Sequence, residues 1–236
     1  MLIRVISDVH SNLPALEAVL ACTQGLEAGM TVCLGDVTGY GSQPSECIAL
    51  VRSACDVVVT GNHDSGVAGK ISIQHFNSDG ARAVEWTRGR LSGGEVAWLS
   101  GLPLHAEAQG LFLCHSDPAN PGGWRYILTR EAAQDAMAAV PAMPCMMGHT
   151  HKPGYWSVGG VFSEAGSGCM EAPCLINCGS VGQPRDGDPR AAFMLVDTDS
   201  RSWRHVRVEY DVEAAASGII RAGLPASLAE RLSMGQ

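Results

Sequence analysis

The chain has 236 residues, 46% hydrophobic and 17% charged, with 28 glycines and 12 prolines; it is long enough to bury one sizeable core and too apolar for disorder. A net charge of −8 excludes a general nucleic-acid binder, whose grip on phosphate backbones requires surplus Lys and Arg. No apolar run approaches the roughly 18 residues of a membrane span, and the opening MLIRVISDVH turns polar too soon for a signal peptide, so a cytoplasmic location is expected.

In chain order, the apolar run LIRVIS precedes Asp8, TVCL precedes Gly35-Asp36, and VVVT precedes Gly61-Asn62-His63-Asp64. Later, LFLC precedes His115 and PCMM precedes Gly148-His149-Thr150-His151. Each reads as a strand delivering a polar loop. Between them Pro14 opens a helical pattern with Leu16, Val19 and Leu20 on one side, and Pro44 opens another with Cys47, Ile48 and Val51. Further helices are predicted over 81–90, after Ser92, and over 131–139. This alternation predicts an α/β core. Beyond Gly154 the pattern changes to short strands around Trp156, Val161, Leu175, Phe193 and Val206, read as antiparallel. Two short helices over 211–231 complete a single domain, 1–236, and are expected to pack on a sheet edge.

Nine cysteines, an odd number without a CxxC pair, read as reduced thiols in a reducing compartment. Cys169, Cys174 and Cys178 lack the spacing of a usual zinc site and are read as core thiols.

Singly, a DxH or an HxH is a weak signal. Five such clusters in order, each after a predicted strand, place Asp8, His10, Asp36, Asn62, His115, His149 and His151 at the carboxyl ends of strands, where open α/β sheets bind ligands. Imidazoles, carboxylates and one amide suit manganese, iron, zinc or nickel, manganese foremost, and the mix points to a hydrolytic metal pair. In an extended segment residues i and i+2 face the same way, so Asp8 and His10, and likewise His149 and His151, are expected to reach one ion together.

The order DxH, GD, GNHD, H and GHxH, from Asp8 to His151, resembles the calcineurin-like metallophosphoesterase superfamily. Asn177-Cys178-Gly179-Ser180-Val181-Gly182-Gln183-Pro184-Arg185 is similar to the NPGSVGQPR segment of its small bacterial, phosphodiesterase-like branch, with Cys178 in place of proline. The resemblance implies a four-layer α/β/β/α sandwich with two mixed sheets. It implies one ion on Asp8, His10 and His151, a second on Asn62, His115 and His149, and Asp36 bridging them. Water activated between such ions would attack phosphorus, with His63 as general acid and Asp64 either orienting His63 or capping the next turn.

Two divalent ions, two carboxylates and one hydroxide leave a net charge of +1, which a phosphodiester monoanion neutralises. The serine/threonine phosphatase branch carries an Arg in its second motif; here Gly35-Asp36-Val37-Thr38-Gly39-Tyr40 puts Tyr40 at that place, favouring diesters. Lys152 and Arg185 are candidates to restore positive charge at the rim. Asn12 and Tyr40 are candidate pocket residues, Asn12 being equally suited to cap the first helix. Trp86, Trp98, Trp124 and Trp156 read as core or interface rather than a stacking surface, and Asp117 as either a support for His115 or a turn residue. The expected partner is a small-molecule phosphoester. Alternatives are a phosphomonoesterase, protein phosphatase or dinucleoside-polyphosphate hydrolase and, from another class, a non-catalytic protein-binding scaffold on the same fold.

Overall fold

The five apolar runs are strands, and each hands the chain to a polar cluster. The computed structural model describes residues 1–26, 28–140, 142–164 and 166–236. Its first half runs β1 (Leu2–Ile6), α1 (Leu13–Cys22), β2 (Met30–Cys33), α2 (Pro44–Ala54), β3 (Val57–Val58), α3 (Asn62–Val67), α4 (Ser78–Arg88) and α5 (Gly93–Gly101). Then come β4 (His105–Ala108), β5 (Leu111–Cys114), α6 (Arg130–Ala138), β6 (Pro144–Met147), β7 (Gly154–Trp156), β8 (Phe162–Glu164) and β9 (Ser167–Cys169). The chain ends with β10 (Cys174–Asn177), β11 (Ala191–Asp197), β12 (Ser202–Val208), α7 (Val212–Arg221) and α8 (Ala226–Met234).

Two six-stranded mixed sheets result, ordered β3-β2-β1-β11-β12-β9 and β4-β5-β6-β10-β7-β8. The central strands β5, β6, β10 and β11 are buried almost throughout because both faces are covered. Along β1, Ile3 and Val5 point between the sheets, while Ile6 points outward to Ala15, Leu16 and Val19 of α1 and Cys47, Ile48 and Val51 of α2. On the second sheet Leu113, Met146 and Ile176 face inward, and Phe112, Cys145 and Leu175 face Ala133, Ala136 and Met137 of α6. This two-residue alternation builds the expected helix–sheet–sheet–helix stack, and truncating an inner residue such as Leu113 to Ala should cost about 2–5 kcal/mol.

Helix starts follow local chemistry: the Asn12 side chain accepts from the amide of Ala15 at 3.2 Å, and Ser92 and Glu95 form a reciprocal capping box at α5. Three departures matter. Gly61-Asn62-His63-Asp64 is the start of helix α3 rather than a loop, with Gly61 as cap. Strand β10 runs parallel to β6 and antiparallel to β7, so the second half is not wholly antiparallel. Finally, α7 and α8 pack on each other and on Tyr40 and Ala83, with α7 also against α1, instead of on a sheet edge. The Trp86 indole donates to the carbonyl of Ala222 at 3.0 Å, fastening this tail to α4. Strands β4 and β9 were not expected from the sequence, being short and partly polar. No helix among the described residues is long and apolar enough to cross a membrane.

Candidate metal centre

Three of the five candidate ligand loops leave their strands through left-handed turns. Asp8 (φ 53°), His10 (49°), Asp36 (51°), His149 (67°) and His151 (58°) all lie where non-glycine residues are uncommon. The extended DxH and HxH segments expected from sequence are therefore absent; backbone kinks, not strand parity, bring these side chains together. Interlocking bonds hold the kinks: Asp8 N donates to Gly35 O at 3.0 Å, His10 N to Asp36 O at 2.9 Å, Gly148 N to His115 O at 3.0 Å and Gly182 N to Asp8 O at 2.9 Å. Gly61 lies so close to Asp36 that a Cβ there would overlap its carboxylate.

Four imidazoles meet in two pairs. His10 Nδ1 lies 3.0 Å from Thr38 O and His151 Nδ1 2.5 Å from Gln183 O. A carbonyl accepts only, so both rings carry the proton on Nδ1 and face each other, Nε2 to Nε2 at 3.1 Å, with bare lone pairs. In the other pair His115 Nδ1 lies 2.8 Å from Leu34 O and His149 Nε2 2.9 Å from Trp124 O. That leaves His115 Nε2 and His149 Nδ1 facing each other at 3.2 Å. Lone pairs turned on one another repel, whereas a cation attracts both. Carbonyl-fixed tautomers are also how metal-binding histidines are held.

The carboxylates complete the two groups. Asp8 Oδ1 is buried without a hydrogen-bond donor, 3.2 Å from His151 Nε2 and 3.7 Å from His10 Nε2. Asp36 Oδ2 lies between the pairs, 3.6 Å from His10 Nε2 and 3.3 Å from His115 Nε2, while its Oδ1 accepts from His63 N at 2.8 Å. Asn62 Oδ1 is another buried acceptor without a donor. Asp8, His10 and His151 form one cluster with metal-ligand spacing, and Asp36, His115 and His149 another. The donor set fits divalent transition cations.

Electrostatics agree. Burial opposes charge on every group, yet His151 and His115 hold Asp8 well below the ordinary carboxylate range, and His115 foremost among neighbouring histidines does the same for Asp36. Burial pulls His115 down, but Asp36 and Asp8 lift it to about 10. Burial lowers His149 to about 3 and His151 to about 4. Two buried carboxylates strong enough to draw a proton onto His115 form a field that demands positive charge.

The other predicted residues divide. His63 is buried, with Nδ1 unpartnered, and its ring sits 4.9 Å from that of His10 and 4.4 Å from Tyr40. Burial pushes its pKa well down, against the pull of Asp36. Asp64 does not touch His63: its carboxylate accepts from Thr38 N (3.0 Å), Thr38 Oγ1 (2.9 Å), Val37 N (3.1 Å) and Gly61 N (3.3 Å), clamping two ligand loops together. Asn12 spends its amide on the α1 cap, Gly182 O (2.8 Å) and Tyr210 Oη (3.3 Å). Tyr40 stacks on His10 at 4.5 Å, and Arg185 donates to its hydroxyl at 3.3 Å. Lys152 is exposed and opens on a separate cavity of about 210 Å³ beside Trp156 and Phe162, apart from the six His and Asp groups.

Asp117 is a loop fastener, accepting from Ala119 N at 2.9 Å and pairing with Arg125 at 2.6 Å. All nine cysteines are free; Cys174 and Cys178 are buried as expected of core thiols, whereas Cys169 is exposed. Sequence reasoning missed Tyr126, whose ring lies flat on His149 at 4.1 Å, and the carbonyl of Trp124. Both come from the loop between β5 and α6, for which only glycines 122 and 123 signalled an irregular turn.

Residues 1–201 match the calcineurin-like phosphoesterase superfamily domain. The chain is 37% identical over 242 residues to an uncharacterized protein of Methanocaldococcus jannaschii, covering all of this chain and 98% of that one. Among solved structures it is similar to a metallophosphoesterase from Sphaerobacter thermophilus (35% identity, TM-score 0.90, covering 100% and 99% of the two chains). A hypothetical protein from Pyrococcus horikoshii shares the fold at 20% identity and TM-score 0.83, with 100% and 98% covered. With a matched domain spanning most of its length and a relative above one-third identity along all of it, the chain belongs to the calcineurin-like phosphoesterase superfamily.

Proposed function

We propose that this protein hydrolyses phosphoesters at two divalent cations, one on Asp8, His10 and His151, the other on Asn62, His115 and His149, with Asp36 between them. The observation that carries this reading is the meeting of four carbonyl-anchored imidazoles, their other ring nitrogens turned inward, around two buried carboxylates. When bound, such cations supply Lewis acidity and a water-derived nucleophile at neutral pH. The chain's own residues position and exchange protons. Asp36 Oδ2 faces both groups, and its Oδ1 holds the start of α3, so the bridge and the acid are set by one side chain. His63, pressed between Tyr40 and His10, gives a proton to the departing oxygen; burial makes its protonated ring a strong acid, and the anionic substrate supplies the charge that loads it.

Diesters remain the favoured substrates, since position 40 is Tyr. A second reading, monoesters, is favoured by Arg185, whose guanidinium rests on Tyr40 and adds a positive charge beside the centre. Turnover of bis-aryl and mono-aryl phosphates by protein loaded with manganese, nickel, zinc or iron tests both, with Asp36→Asn as control. The expected result is metal-dependent hydrolysis, faster on bis-aryl phosphate and abolished in the variant. No turnover with any metal would support the protein-binding scaffold instead.

A further inference from the structure

Beside the metal centre lies a cavity of about 550 Å³ lined by Asn62, His63 and His149 and by Phe76, Trp124 and Tyr126. The first three belong to the proposed machinery; the side chains of the last three are not needed for it, Trp124 serving it only through its carbonyl. Their arrangement is specific. Tyr126 lies flat on His149, interplanar angle 11°, yet remains 47% exposed, so its second face is free. Phe76 meets the His63 ring edge-on at 4.9 Å, and the two aromatics come from different segments, the loop between α3 and α4 and the loop between β5 and α6. Trp124 is fixed by a left-handed backbone (φ 54°) with its indole N–H buried and unpartnered.

We infer that this cavity is a subsite for a planar aromatic group carried on the ester oxygen, with Tyr126 and Phe76 as its specificity-determining walls. The inference rests on the phosphoester reading. A phosphoryl group held at Asn62 and His149 has His63 at its leaving side, and the substituent there enters the space bounded by Phe76 and Tyr126. An exposed tyrosine face held rigid by a buried histidine costs little ordering on binding and offers a stacking platform, and the cavity lies in the size range of small-molecule sites. An aryl ester and a nucleotide share this chemistry, a flat ring joined to a phosphoryl group.

The test uses phosphonates, whose carbon–phosphorus bond removes turnover from the measurement. Methylphosphonate, cyclohexylphosphonate, phenylphosphonate and an adenine-bearing alkyl phosphonate are titrated calorimetrically into the manganese-loaded protein. The phenyl and adenine ligands should bind at least about fivefold tighter than cyclohexyl, and this ratio should fall below about twofold in Tyr126→Ala and in Phe76→Ala. Adenine tighter than phenyl assigns a nucleotide; equality assigns a simple aryl ester. Equal binding of cyclohexyl and phenyl, or a ratio unchanged in both variants, overturns the subsite alone. Failure of methylphosphonate and inorganic phosphate to bind at all overturns the phosphoester reading and the subsite with it.

Discussion

The guanidinium of Arg185 lies 5.8 Å from the ring centroid of Tyr40 and donates to its hydroxyl at 3.3 Å, joining residues 145 positions apart. The same guanidinium nitrogen also donates to Gln183 Oε1 at 3.0 Å, and Arg185 adds to burial in lowering His151 and His63. The positive charge at position 185 is thus held against the tyrosine at position 40.

Arg185→Met should therefore reduce kcat/KM for mono-aryl phosphate about tenfold or more, the worth of one charge-assisted hydrogen bond, and reduce it less for the bis-aryl ester. Tyr40→Phe, which removes only the anchor, should shift the ratio of the two substrates in the same direction by a smaller factor. Steady-state kinetics on both esters decide it: equal losses on the two would mean that Arg185 does not read phosphate charge.

The candidate site residues were legible because each cluster follows an apolar strand, and the strands carry them to one end of the sheets. Their geometry was not. Chain parity predicted that Asp8 and His10 share a face of an extended segment, but the chain kinks into the left-handed region at Asp8 and again at His10, a conformation that is uncommon even for Asp and His, which enter it more often than most residues. Helix α3 was hidden by Gly61, Asn62 and Gly66, poor helix formers, although the acidic residue three positions past Gly61 was a start signal in plain view. Tyr126 reaches the site from a loop distant in sequence, and only tertiary packing states that.

Asp64 supplies a test of loop clamping against proton relay. Its carboxylate accepts four hydrogen bonds at full burial, and leaving buried donors unsatisfied costs about 1–3 kcal/mol each. Asp64→Ala should destabilise the chelator-treated protein by about 3 kcal/mol or more in urea melts, and Asp64→Asn by less. If Asp64 instead served to orient His63, turnover would collapse with little change in the melts.

Two glycines separate metal retention from proton transfer. A Cβ on Gly61 would overlap the Asp36 carboxylate, whereas one on Gly39, itself at φ 92°, would overlap the His63 ring. Gly61→Ala should lose bound metal by elemental analysis. Gly39→Ala should keep its metal while kcat falls about a hundredfold, the scale of a displaced acid. Parallel loss of metal in both variants would merge the two roles and refute the separation.

Acid stability should depend on His205, which lies on β12 outside the metal centre with Nε2 buried and unpartnered. Burial, and then Arg207, push its pKa down to about 4, with the Cys178 backbone and then Asp188 pulling weakly the other way. The folded protein thus prefers the neutral ring, while the unfolded chain takes up a proton near pH 6.5. Stability from this residue is complete above pH 6.5 and drains away as pH falls toward 4, the unfolded state binding more protons across that window. Discounted for partial exposure, the loss is about 1–2 kcal/mol. Urea melts of chelator-treated protein at pH 7 and pH 4.5 should show a smaller drop for His205→Gln than for the wild type by that amount. Because metal release is absent from both, an identical drop would mean that acid destabilisation arises at the ligand histidines and not at β12.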